Sequence, residues 1–202
     1  EAIEHDVIAS TGAWSSKSMM WQFENVDTIG SLLQIDPKEC SKIQVENGLF
    51  GTRQQQLKTQ AEYLSQKYHC VVTNPPYLGK GMGDVLKDYI TQNYPRSKTD
   101  TMATFMERCL DLNKDNGVTA MINQHSWMYG ARYESLRENL FQNYYIETML
   151  HLGTRAFPEI GGEVVQNTTF TIRNTKHQNK NGQYFRLTKA KDCFNKEQLF
   201  LD

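Results

Sequence analysis

The chain has 202 residues, of which 39% are hydrophobic and 22% charged, with 22 Lys and Arg against 23 Asp and Glu for a net charge of −1. These values suit a globular chain and exclude a disordered polyelectrolyte, and the near-neutral balance argues against a self-sufficient nucleic-acid-binding module, which carries a basic footprint. No apolar run is long enough to span a bilayer and no signal-peptide pattern opens the sequence, so the expected location is the cytoplasm and no membrane partner is expected.

In chain order, Glu1 to Met20 alternates polar and small residues with weak helical character, and Trp14 and Trp21 read as packing residues. Phe23 to Ile35 suits a short strand or hairpin, and Val45 to Lys67 a helix interrupted near Gly48 and Gly51. Cys70-Val71-Val72-Thr73 is apolar and β-branched and is expected as a buried strand without a solvent face. Asn74-Pro75-Pro76-Tyr77 follows it directly. Leu78 to Lys98 reads as a solvated loop in which Lys80, Lys87, Arg96 and Lys98 are nearly offset by Asp84 and Asp88.

Thr101 to Asn113 sets Phe105, Met106, Cys109, Leu110 and Leu112 near one helical face, with Gly117 as the stop signal beyond it. Residues 117–123 then read as a strand. Ala131 to Gln142 reads as an amphipathic helix with Tyr133, Leu136, Leu140 and Phe141 on its apolar side. Ile146 to Leu152 and Val164 to Arg173 are further strands, and a polar tail offers Tyr184 to Leu187 as one more. Such alternation predicts an α/β sheet. Cys40, Cys70, Cys109 and Cys193 form no CxxC pair, so no zinc or redox site is indicated, and Cys70 and Cys109 are expected as buried thiols. His125 and His151 are read as structural, with no metal site.

The chemistry lies at Asn74. A strand's carboxyl end is where open α/β sheets bind ligands. Two prolines fix two φ angles, remove two donors and keep Asn74 out of helical geometry, so its side chain has little freedom. The carboxamide and the Pro75 carbonyl can together accept two hydrogen bonds from one exocyclic amine, and Tyr77 offers a flat face for a base.

Residues 74–77 match the Asp/Asn/Ser-Pro-Pro-aromatic loop of amino-methyltransferases, which act on adenine N6, cytosine N4 or a glutamine amide. Asn123-Gln124-His125-Ser126-Trp127-Met128, Tyr133-Glu134-Ser135-Leu136-Arg137, the run His151 to Phe157 and the run Gly161 to Asn167 extend the match. Together they resemble the adenine-specific DNA methyltransferases of bacterial phage-exclusion (BREX, PglX-type) systems, over about Phe23 to Asn174. The resemblance implies an α/β fold, the catalytic half of an S-adenosylmethionine-dependent methyltransferase with a Rossmann-like mixed sheet whose last strand inserts antiparallel. It implies S-adenosylmethionine as cofactor, double-stranded DNA as partner and other subunits of a defence complex. Such enzymes hold the cofactor on a glycine-rich strand-to-helix turn ahead of the Asn-Pro-Pro-Tyr loop, and Gly12, Gly30, Gly48 and Gly51 are isolated. Residues 1–50 are therefore expected to connect to a missing cofactor lobe, 51–175 to form the catalytic half, and 176–202 to lead toward target recognition. The expected catalytic residues are Asn74, Pro75, Pro76 and Tyr77, with Lys80, Ser126, Trp127 and Phe157 near the substrate; Phe170 is expected in the core. Such a fragment is expected to be inactive by itself. An RNA or protein-glutamine methyltransferase shares the loop, and a non-catalytic module of a defence complex that retains it is the remaining alternative.

Overall fold

The structure, a computed structural model, describes residues 19–43, 45, 51–157, 165–176 and 181–202. Trp14 and most of the expected strand start at Val164 lie outside or at the edge of these residues. Packing divides the chain into two compact units, Glu1–Lys67 with Gly83–Asn93, and Tyr68–Met82 with Tyr94–Asp202. These boundaries follow contacts and do not coincide with the functional segments 1–50, 51–175 and 176–202.

The first unit is helical: α1 (Met19–Glu24), α2 (Val26–Ile29), a 3-10 turn (Gly30–Leu32), α3 (Pro37–Cys40) and α4 (Gly51–Ser65), with α5 (Asp84–Asn93) contributed from further along the chain. The strand or hairpin expected over 23–35 is corrected to helix. Phe23, Ile29, Leu32, Leu33 and Ile35 are all buried, which short helices broken at Gly30 (φ 59°) achieve and one alternating strand face does not. The loop expected over 78–98 is also corrected, because α5 occupies half of it. Leu86, Tyr89 and Ile90 fall at the i, i+3, i+4 spacing that buries one face, a period obscured by the charged residues between them. The Tyr89 hydroxyl donates to Gln22 Oε1 at 3.0 Å and accepts from the Gln34 amide at 2.9 Å, while Trp21 stacks on its ring at 5.9 Å.

The second unit is built on a five-stranded sheet, order β1-β2-β4-β3-β5, comprising β1 (Tyr68–Thr73), β2 (Asn113–Gln124), β3 (Tyr145–Gly153), β4 (Asn167–Arg173) and β5 (Gln183–Arg186). The pairs β1/β2 and β3/β5 are parallel, and β4 runs antiparallel to both of its neighbours, as expected for the inserted last strand. Helices α6 (Thr101–Asp111) and α7 (Glu134–Asn143) cover one face, and α8 (Cys193–Leu201) closes the chain. Met102, Met106, Cys109 and Leu110 of α6 and Leu136 and Leu140 of α7 pack with Met121, Ile146, Phe170 and Ile172 of the sheet. Each such side chain withdrawn from water contributes about 1.5–3 kcal/mol before entropy is charged.

Three details differ from expectation. β1 is an edge strand with Val72 72% exposed, so the buried-strand reading fails: an apolar run reports what a strand can bury and not whether a neighbour is present. Cys70 is accordingly exposed, whereas Cys109 is buried and its thiol is pushed up to about 12 by loss of solvent. Gly117 does not stop α6, which ends at Asp111. It lies inside β2, where a Cβ would stand 2.9 Å from the Tyr68 carbonyl, so glycine is what lets β1 approach. Phe141, expected on the apolar side of α7, is exposed.

Candidate active site

β1, β2 and β3 run parallel, so their carboxyl ends share one edge of the sheet, joined there by the start of antiparallel β4. Asn74 to Tyr77 leave β1 at that edge. Pro75 is buried and Asn74 exposed, so the loop is anchored by a proline and presents the carboxamide outward. The bracing comes from the amino end of α6. Thr101 Oγ1 donates to the Pro76 carbonyl at 2.7 Å and accepts from the Leu78 amide at 3.0 Å, and the Thr101 amide donates back to the Leu78 carbonyl at 3.1 Å. Asp100 caps the same helix by accepting from the Met102 amide at 3.0 Å, an arrangement worth about 1 kcal/mol.

Tyr77 is 39% exposed, and its hydroxyl donates to Asn167 Oδ1 at 3.3 Å. Partial burial and the Asp100 carboxylate push that phenol above its usual range, so it stays a neutral donor. Asn167 is buried at the first position of β4, opposite Gln124 on one side and Gly153 on the other. It ties the aromatic of the loop to the sheet. Asn167 was not among the expected site residues, although it ends the Gly161 to Asn167 run; nothing local marks a pairing across 90 residues.

Beyond β2, a 3-10 turn (His125–Met128) carries two more expected residues. Ser126 is half-buried and donates to Gln124 Oε1 at 3.2 Å. Trp127 is corrected to a core residue: it is 2% exposed, donates from Nε1 to Asn123 Oδ1 at 3.0 Å and meets Phe170 edge-on at 5.1 Å, leaving no ring face for a base. Phe170 is in the core as expected. Arg137 holds the turn from below by donating to the Trp127 and Gly130 carbonyls at 2.9 and 2.7 Å. Lys80 is exposed on the segment following Tyr77, and Phe157 is half-buried in the segment after β3; neither is brought into a described contact with Asn74.

His125 and His151 are joined Nδ1 to Nε2 at 3.0 Å, and the Tyr129 hydroxyl reaches His151 Nδ1 at 3.2 Å. Burial lowers the pKa of both imidazoles, and for His151 the neighbouring His125 and Arg186 add to it. The pair is a neutral hydrogen-bonded brace between the ends of β2 and β3. Among the described residues no cluster of His, Cys, Asp or Glu is suited to a metal. Thr168 and Thr169 donate to the Leu150 and Met121 carbonyls, stitching β4 to both neighbours. No helix among the described residues is long and apolar enough to cross a membrane.

A family model described as Eco57I restriction-modification methylase matches residues 13–157. A protein of Lacticaseibacillus casei (strain Zhang) named adenine-specific methyltransferase PglX is 38% identical over 202 residues, covering 97% of this chain and 17% of that protein. One of Escherichia coli O9:H4 (strain HS) named adenine-specific methyltransferase BrxX is 36% identical over 192 residues, covering 88% and 16%. The chain thus spans less than a fifth of these relatives. A Listeria monocytogenes structure assigned to the class I S-adenosylmethionine-dependent methyltransferases aligns with a TM-score of 0.51 at 9% identity, over 96% of this chain and 73% of that one. The ATP-dependent Type ISP restriction-modification enzyme LlaBIII bound to DNA aligns with a TM-score of 0.51 at 17% identity, over 77% of this chain and 12% of that one. At such identities these two likenesses speak for the fold alone.

Proposed function

This chain belongs to the Eco57I restriction-modification methylase family, and from that premise we propose that it is the catalytic half of an N6-adenine DNA methyltransferase of a restriction-modification or phage-defence system. The observation that carries the reading is the braced Asn74-Pro75-Pro76-Tyr77 loop at the carboxyl end of a parallel strand. An adenine extruded from the duplex stacks on Tyr77, and its N6 amine donates to Asn74 Oδ1 and the Pro75 carbonyl. Two acceptors placed this way favour a tetrahedral nitrogen and return its lone pair from the ring, which makes the amine a nucleophile without a general base. Ser126 and Phe157 line the base pocket, Lys80 contacts a phosphate, and Trp127 is withdrawn from that set.

S-adenosylmethionine supplies an electrophilic methyl group to the amine. The described residues do not suit it: no strand-to-helix join among them carries a glycine-rich turn, so no step is routed through residues of this chain holding the cofactor. The edge position of β1 supports the half-enzyme reading. Parallel strands are ordinarily covered, and an edge that exposes Cys70 and Val72 suits a sheet continued by strands from elsewhere in the protein, as the small share of its relatives that this chain spans also suggests.

The test is methyl transfer to DNA by the protein at its full cellular length. Asn74→Ala is expected to lower the rate at least about 100-fold, comparable to loss of one preorganised transition-state partner, with an unchanged circular dichroism spectrum. Undiminished transfer overturns the assignment.

A further inference from the structure

At the opposite end of the sheet, where β3 and β5 begin, a cavity of about 400 Å³ is lined by Phe141, Tyr144, Tyr145 and Tyr184 together with Asn181. It lies away from the Asn-Pro-Pro-Tyr edge, because β3 runs parallel to β1 and the loop leaves β1 at its far end. The rings at its rim are not core residues left partly uncovered: Phe141 is 66% and Tyr184 57% exposed. Gly182 makes the wall possible, since a Cβ there would stand 2.3 Å from the Ile146 carbonyl and 2.9 Å from the Tyr184 hydroxyl. That hydroxyl in turn donates to Ile146 O at 3.5 Å, which fixes the Tyr184 ring over the start of β3.

The chemistry of this lining is specific. Ring faces carry negative potential, and no residue of the lining is charged. The carboxylates that influence the nearest phenol, Tyr144, are Asp111 and Glu107, with Arg96 opposing them. Asn181 and the phenols add hydrogen-bond acceptors. Aromatic faces, nearby carboxylates and peripheral acceptors suit a planar cation that can stack and donate at its rim, which describes a guanidinium better than a compact ammonium. A free metabolite is ordinarily enclosed over most of its surface, and a cavity whose rim rings stand this exposed encloses little. A side chain delivered by another protein surface needs no such enclosure.

We propose that this aromatic pocket at the amino end of β3 and β5 receives an arginine side chain of a partner polypeptide. The inference does not depend on methyl transfer.

The probe is N-acetylarginine amide, titrated into the chain with its tyrosines isotopically labelled for NMR, beside N-acetylcitrulline amide, which keeps the shape and removes the charge. Saturable shifts at the tyrosine signals are expected, with the arginine derivative about threefold to tenfold tighter than citrulline, the span of an exposed to partly desolvated cation–π contact. Tyr184→Leu and Phe141→Ser, both at exposed positions, should each weaken arginine binding toward the citrulline value, and Tyr184→Phe should retain it. A short peptide displaying one arginine should bind at least as tightly as the amide. Equal binding of citrulline, equal binding of N-acetyllysine amide, exclusion of the peptide, or no shift at all would each overturn the proposal.

Discussion

Asn74 owes its fixed position to its neighbours in sequence, but Tyr77 owes its position to Asn167, and the difference runs through the whole site. The prolines act within one residue of Asn74, whereas the hydroxyl of Tyr77 is held by a side chain on β4. The histidines show the same dependence. Each was legible as a structural residue, but that they bond to one another at 3.0 Å follows only from the pairing of β2 and β3 with β4. Their titration has a definite direction. Both folded-state pKa values lie below the ordinary value near 6.5, so the unfolded chain binds more protons as pH falls through that region. Stability is therefore complete above about pH 6.5 and declines below it. The melting temperature should drop between about pH 7.5 and about pH 5.5, and His151→Gln should reduce that drop; an identical pH dependence in the variant would count against the neutral pair.

At the level of elements, α6 is the part that makes the catalytic loop rigid. Its first residue, Thr101, forms three hydrogen bonds to the loop, and Asp100 before it caps the helix. Thr101→Val keeps the shape and removes the hydroxyl, leaving the Pro76 carbonyl and the Leu78 amide without that partner. A loss of about 1–3 kcal/mol in chemical denaturation is expected, together with slower methyl transfer in the full-length protein; Thr101→Ser should restore both. Stability and rate unaffected by valine would show that the loop is held by other means. The sequence marked α6 well because its apolar period is strong. It concealed α5, whose apolar residues are interleaved with charges, and it suggested a strand over 23–35 where short helical pieces bury the same side chains.

For the molecule as a whole, the sheet begins at the catalytic loop. Its parallel edge strand β1 is bare on one side, and no glycine-rich turn for a nucleotide-like cofactor is found among the described residues. Calorimetric titration of this chain with S-adenosylmethionine, with and without adenine-containing DNA, is accordingly expected to give no binding heat at micromolar concentrations. Clear saturation would place a cofactor site within the chain and remove the half-enzyme reading. The net charge of −1 agrees with a catalytic piece that does not by itself supply the phosphate contacts of a DNA-binding protein.

What the sequence by itself determined is local: the rigidity of Asn74-Pro75-Pro76-Tyr77, the apolar faces of α6 and α7, the strands near 117–123, 146–152 and 167–173, and the core position of Phe170. Each follows from dihedral restriction or from side-chain period, which act over a few residues. Tertiary structure alone decided that Cys70 and Val72 face solvent, that Trp127 is buried beneath the pocket it was expected to line, that Asn167 holds Tyr77, and that Gly117 serves a close strand approach and not a helix end. These depend on which strands become neighbours, and that choice is made by packing between segments far apart in the chain.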